Sequence, residues 1–374
     1  MKRALGRYCV FILPLAGLLL SSCAAPGVSY EPAAGTSKLS PANEIFDLEA
    51  EGLKTLWRAN LGQVAGRRIE KLYCTGPLVV VEATDGEIHC FDAESGIWQT
   101  YAVFHRGLVR APVQMGETLF VVVADRLYGL NIRTGRRSTG FNPKFAVSVP
   151  PVVYEDSLIL AGANGHLACL PILGTQLSWT RSLSGPILEP PVLSGDRLFA
   201  SAHGDKVMAV EPDSGYPVWT WQPKEPSQIS SGLAADGDYV YVGDNRGYVY
   251  ALQDAVGAPQ GKRMVHSAVT SQPWIVGEQL LVLTAKPSLI SLVPGADMAR
   301  LWAYDGAARV LSASRSVVYV QTADGSVAAV SLETGDELWR HGLPEGCRVE
   351  GDPFRPVFYV ANEQGNIVAF AELD

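Results

Sequence analysis

Six cysteines, six histidines and an excess of acid over base are the features of this 374-residue chain whose chemistry could support a reaction. Thiols could serve redox work, imidazoles could bind zinc, and carboxylates could bind calcium or move protons. Spacing narrows these options. His89, His105, His166, His203, His266 and His341 lie too far apart for the paired ligands that zinc sites take from one element, so no metal site is assigned. Asp236-Gly237-Asp238 and Asp244-Asn245 hint at calcium, but the first falls at an expected hairpin turn and neither completes a calcium loop. Both read as solvated turn residues. No Gly-x-Ser-x-Gly, Walker or dinucleotide fingerprint occurs. No catalytic residue and no cofactor are assigned.

Cys23 carries a different chemistry. A basic start (Lys2, Arg3, Arg7) leads into an apolar run from Cys9 to Leu20, too short to span a bilayer, and then into Leu20-Ser21-Ser22-Cys23. This ending resembles the lipobox of bacterial lipoproteins, in which the cysteine is acylated and becomes the new N-terminus. Residues 1–22 are therefore expected to be a signal peptide and Cys23 a lipidation site. Each buried methylene of an acyl chain contributes about 0.8 kcal/mol, so several chains would hold the protein to a membrane without a transmembrane helix. Ala24 follows Cys23, where Asp tends to retain lipoproteins at the inner membrane, so the outer membrane is expected. Loss of Lys2, Arg3 and Arg7 takes the formal net charge from −8 to −11, which argues against nucleic acid as a partner. Residues 23–50, rich in Pro, Gly and Ser, are expected to form a flexible tether.

The elements that must position everything else form a repeat. A phrase of aliphatic, variable, small and larger apolar residues recurs eight times, from Ile88-His89-Cys90-Phe91 through Val207-Met208-Ala209-Val210 to Ile367-Val368-Ala369-Phe370. Successive copies lie 39, 40, 40, 42, 40, 38 and 40 residues apart, the period of a four-stranded propeller blade. Residues 317–340 show the rest of a blade: the strand Val317-Val318-Tyr319-Val320, the turn Asp324-Gly325, the repeat phrase, the turn Glu333-Thr334-Gly335 and an outer strand with Trp339. Trp98, Trp179, Trp219 and Trp302 read as outer-strand equivalents that dock neighbouring blades. The eighth repeat lacks an outer strand, and Leu56-Trp57-Arg58 matches Leu338-Trp339-Arg340, so the N-terminal segment is expected to close the ring. The fold class is all-β, an eight-bladed β-propeller over residues 51–374.

The pattern Gly-x-φ-x-Ala-φ-Asp-x-x-(Thr/Ser)-Gly-x-x-x-Trp resembles the pyrroloquinoline-quinone-like propeller repeat, from residue 53 onward. An eight-bladed ring behind a lipoprotein signal is similar to the propeller lipoproteins of the machinery that inserts β-barrels into the outer membrane. The resemblance implies a periplasm-facing scaffold with protein partners. The same repeat also serves quinone-dependent dehydrogenases and sensors of ligands or cell wall, which stand as alternatives. Those dehydrogenases typically carry an adjacent Cys-Cys pair over the cofactor, and no such pair occurs here. Cys90 and Cys169 fill the small-residue slot of the repeat and read as buried packing residues. Cys74 and Cys90 should be separated by a strand, about 9–10 Å and beyond disulfide reach, whereas a pairing of Cys347 with Cys74 stays open. Blades 2 and 5 depart most from the pattern. One carries the basic run Arg133, Arg136, Arg137, and the other replaces its tryptophan within Gly261-Lys262-Arg263-Met264. Such runs are either solvated strand edges or docking sites for a partner.

Overall fold

The computed structural model describes residues 29–31, 53–61, 68–84, 86–224 and 226–372. Eight antiparallel sheets make up this part of the chain, with no helix among the described residues. Blade 1 shows the plan: Ile69–Cys74, Leu78–Ala83, Glu87–Asp92 and Trp98–Val103 pair in sequence order from the axis outward. The second strand is buried at all six positions, because in a ring both faces of each sheet meet another blade. Val, Ile and Leu therefore run continuously there, and the repeat phrase that follows is the equally buried third strand. Eight clusters of buried apolar side chains fill the gaps, one between each pair of consecutive blades.

Closure follows the expected route. Leu53–Asn60 pairs antiparallel with Asn366–Glu372, Trp57 opposite Ala369, and supplies the outer strand of blade 8. Side chains then tie blade 8 to blade 1. Arg355 bonds the buried Asp352 carboxylate at 2.8 Å and the Gly76 carbonyl of blade 1 at 3.0 Å, and Tyr359 donates to the Ala93 carbonyl at 3.3 Å. Ser29–Glu31, within the segment expected to be a tether, adds a fifth strand to this blade by pairing with Arg58–Asn60. The remainder of that segment, with Cys23 and the signal peptide, lies outside the described residues.

Blade 2 departs from the plan. Its ladder has three strands, and the fourth is reduced to the isolated bridges Leu127↔Phe141 and Leu130↔Arg137. Ser138 explains the break: its Oγ accepts the Gly129 N–H at 2.8 Å, which removes that donor from the backbone ladder.

Candidate functional site

Four tryptophans of the outer strands are structural staples. Each of four indoles donates its N–H to a backbone carbonyl of the next blade: Trp57 to Ala93 at 3.1 Å, Trp179 to Pro212 at 2.8 Å, Trp219 to Asp254 at 2.7 Å and Trp302 to Leu332 at 2.7 Å. The glycine that ends the turn before the outer strand of the next blade completes each staple. Gly257 has a φ of 69°, and a Cβ there would lie 2.5 Å from the Trp219 ring; Gly215 stands in the same relation to Trp179. The backbone conformation and the indole above it both exclude a side chain.

Register separates Trp98 from this set. In the stapled blades the tryptophan faces the small slot residue, as Trp219 faces Ala209 and Trp302 faces Ser291. In blade 1 the residue facing Cys90 is Thr100, while Trp98 lies beyond the bulge opposite Phe91. The Trp98 indole N–H is buried with no hydrogen-bond partner among the described residues. Trp98 thus makes no staple to blade 2 and packs instead against the cluster between blades 8 and 1. Ten residues separate Cys169 from Trp179, Ala209 from Trp219 and Ala329 from Trp339, but only eight separate Cys90 from Trp98. The staple slot holds Thr100, Ser138 and Gly261 in blades 1, 2 and 5.

Along the axis, the first strands and the loops leading into them enclose a cavity of about 740 Å³. Its charged lining includes Arg110, Glu189, Arg309 and Glu350, none of which the repeat pattern singles out, because axial positions vary between blades. Arg309 bonds Glu350 at 2.8 Å. Burial pushes both glutamates up from the usual carboxylate range, and at Glu350 the neighbouring guanidinium opposes that shift. Cys74 also lines the cavity, its thiol pushed up to about 12 by burial and then by the nearby Asp352 carboxylate. Both effects disfavour its thiolate form.

This donor set does not fit a quinone cofactor with its calcium ion. Four staple indoles are committed between blades, Cys74 has no adjacent cysteine, and Glu350 is engaged by Arg309. No three His, Cys, Asp or Glu side chains among the described residues converge on a point that could hold a metal. Asp236 caps its own turn by accepting the Asp238 and Tyr239 N–H groups, and Asp244 does the same for Arg246 and Tyr248. Cys74, Cys90, Cys169 and Cys347 are all free thiols.

The basic run of blade 2 is not brought together as one patch. Arg133 pairs with Glu117 at 2.8 Å on the surface. Arg137 reaches back to blade 1, bonding the Val103 carbonyl at 2.8 Å and lying over the Phe104 ring. Arg136 is exposed, and its side chain makes no hydrogen bond or ion pair among the described residues. In blade 5, Lys262 lies over the Tyr248 ring at 3.6 Å, while Arg263 points to the other side of the sheet with Gly261 and Val265.

These features define an eight-bladed propeller whose blades are stapled by tryptophan, glycine and a main-chain carbonyl. A family model described as outer membrane protein assembly factor BamB matches residues 42–139, 138–229 and 203–374, and the chain belongs to that family. A relative of that name from Shewanella oneidensis is 23% identical over 254 residues, 63% of this chain and 62% of its own. The matched stretches of the first relatives span 46% to 62% of those proteins' lengths. Among solved structures, BamB from Moraxella catarrhalis superposes with a TM-score of 0.68 at 14% identity, covering 85% of this chain and 97% of that one. Quinohemoprotein alcohol dehydrogenase from Comamonas testosteroni gives 0.63 at 12% identity, covering 87% and 77%. At these identities the two likenesses speak for the fold alone.

Proposed function

We propose that the chain is a lipid-anchored, periplasm-facing scaffold of the outer membrane that binds partner proteins in β-barrel assembly. The observation that carries this reading is the family match, which runs from residue 42 to residue 374 and so takes in every blade of the ring. The axial donor set supports a binding role over quinone chemistry, since among the described residues no cluster could hold the ion and Glu350 is engaged by Arg309. Acyl chains on Cys23 would supply the anchor, and radiolabelled fatty acid should label the protein but not its Cys23→Ala variant.

Affinity purification from gently solubilised membranes tests the role. Recovery of the barrel-insertion subunit is expected, and its reproducible absence would refute the reading. In blade 2, the exposed guanidinium groups of Arg133 and Arg136 are the ones available to a partner, while Arg137 is committed to the fold. Replacing Arg133 and Arg136 with Ala should weaken capture at an unchanged melting temperature, whereas Arg137→Ala should lower the melting temperature. Unchanged capture would remove blade 2 from the docking surface.

A further inference from the structure

Between blades 5 and 6 the staple slot holds Gly261, and the Ala296 carbonyl of blade 6 sits where a Cβ would be, 1.8 Å from it. Beyond that contact lies a cavity of about 670 Å³. Its apolar floor includes Val265, Ile290 and Leu292, and its charged lining is Arg263, Arg300, His266 and Lys262, with no acidic residue. Lys262 is spent on the Tyr248 ring, which leaves the two arginines and the imidazole.

Other junctions are built differently at these positions. Arg263 stands two residues beyond the slot, and Arg300 faces Leu292 across the ladder of blade 6. At the junction of blades 6 and 7 the same two positions hold Tyr304 and Glu337, which hydrogen-bond to each other. At the junction of blades 3 and 4 the position of Arg263 holds Arg181, whose guanidinium is satisfied by the Gly215 carbonyl at 2.6 Å and the Ser214 carbonyl at 3.3 Å. Arg263 is only half-exposed, yet neither its guanidinium nor that of Arg300 has a hydrogen-bond or ion-pair partner among the described residues. Two like charges line a gap that elsewhere holds a donor and an acceptor. The chain as a whole has a formal charge of −8, so this concentration of cations is not a property of its general surface.

We propose that the groove between blades 5 and 6 binds the carboxylate groups of an extended, partly apolar protein segment. Carboxylates match the fork of the guanidinium, and the Val265, Ile290 and Leu292 floor accepts the apolar side chains between them. The volume suits one to a few residues of peptide. This assignment rests on reading the chain as a protein-binding scaffold and names the chemistry of one partner segment.

The test is fluorescence anisotropy on the folded ring with a labelled peptide of alternating Glu and Leu. Saturable binding is expected, at least roughly tenfold weaker for the Gln and Leu counterpart and weaker again at high salt. Arg300→Glu should abolish binding and raise the melting temperature, because it sets a carboxylate across the gap from Arg263, in the position Glu337 holds opposite Tyr304. That rise separates loss of the site from loss of the fold. Arg136→Ala should bind as the parent does. Equal affinity for the two peptides, or binding unchanged in Arg300→Glu, would overturn the proposal. So would complete displacement by millimolar inorganic phosphate, which would make the groove a small-anion site, or a strong preference for anionic vesicles over the peptide. Capture of the barrel-insertion subunit is measured separately, so a failed groove leaves the scaffold reading testable and a failed scaffold reading leaves the peptide measurement intact.

Discussion

Replacing tryptophan with phenylalanine, one site at a time, distinguishes a hydrogen-bonded staple from a tryptophan that only packs. At Trp219 the substitution keeps most of the ring but removes a 2.7 Å hydrogen bond and leaves the Asp254 carbonyl without that donor in a buried junction. A net hydrogen bond contributes about 1 kcal/mol and an unsatisfied buried group costs about 1–3, so a loss of about 2 kcal/mol is expected. Trp302→Phe, with its 2.7 Å bond to the Leu332 carbonyl, should behave alike. At Trp98 the same change removes a buried donor that has no partner among the described residues. The gain from deleting it and the loss of ring contact should nearly cancel, within about 0.5 kcal/mol. A ring of blades need not unfold in one step, so the readout is the urea midpoint of the far-ultraviolet circular dichroism signal. With a slope of about 5 kcal/mol/M for a chain of this size, the staple variants should lose about 0.4 M while Trp98→Phe stays within about 0.1 M of the parent. If Trp98→Phe lowers the midpoint as much as Trp219→Phe, the register argument that sets blade 1 apart is wrong.

Other consequences can be checked on the same material. Gly257→Ala should cost about 3 kcal/mol by thermal unfolding, combining a positive φ with a Cβ pressed onto Trp219, whereas Gly277→Ala should cost about 1, since its φ is also positive but nothing lies within 4 Å. Arg355→Ala strips the buried Asp352 of its guanidinium partner and the Gly76 carbonyl of its donor; a loss of about 3 kcal/mol is expected, with hydrogen exchange rising first at the junction of blades 8 and 1. Burial raises the pKa of Glu189, so the native state holds that proton more tightly than the unfolded chain. Its protonated form is compatible with the fold at low pH, and stability is lost as pH climbs from the ordinary glutamate value of 4.5 through the raised one. Glu189→Gln should therefore melt above the parent at pH 7.5, and the gap should close below pH 4.5; a gap independent of pH would refute the assignment.

The fold was legible because it repeats. Eight copies of one phrase at a nearly constant spacing fixed the blade count, and the match of Leu56-Trp57-Arg58 to Leu338-Trp339-Arg340 located the closing strand, which pairs as expected with Asn366–Glu372. What stayed hidden has a common physical origin. A repeat constrains the residues that meet the same neighbour in every blade, such as the slot and the turn glycine, but not those that face the axis or a single junction. Glu189, Arg309 and Glu350 each occur once around the channel, and Arg300 gains its meaning only when set beside Arg263 on the neighbouring blade. The ladder break at Ser138 likewise depends on one side chain capturing one backbone N–H. Trp98 is the exception: its eight-residue spacing from Cys90, against ten in blades 3, 4 and 7, is legible in the sequence.

The departures from the staple pattern and the basic residues coincide in two places, and a physical reason connects them. A stapled junction is filled by an indole, a glycine turn and a carbonyl, as at Trp219, Gly257 and Asp254. A junction without the indole must be packed some other way. Blade 1 meets blade 2 through Phe104, Leu108, Tyr128 and the guanidinium of Arg137, and blade 5 meets blade 6 through the close approach of Ala296 to Gly261. Such substitutes seal the inner part of the gap but not its outer rim, where cavities remain beside Arg137 and beside Arg263. Stability in a closed ring is shared among eight interfaces, so a few can give up the indole without opening the whole. The unstapled junctions are thus where the ring can bear a binding groove at the lowest cost to its fold, and in this chain the grooves beside Arg137 and Arg263 are lined with cations.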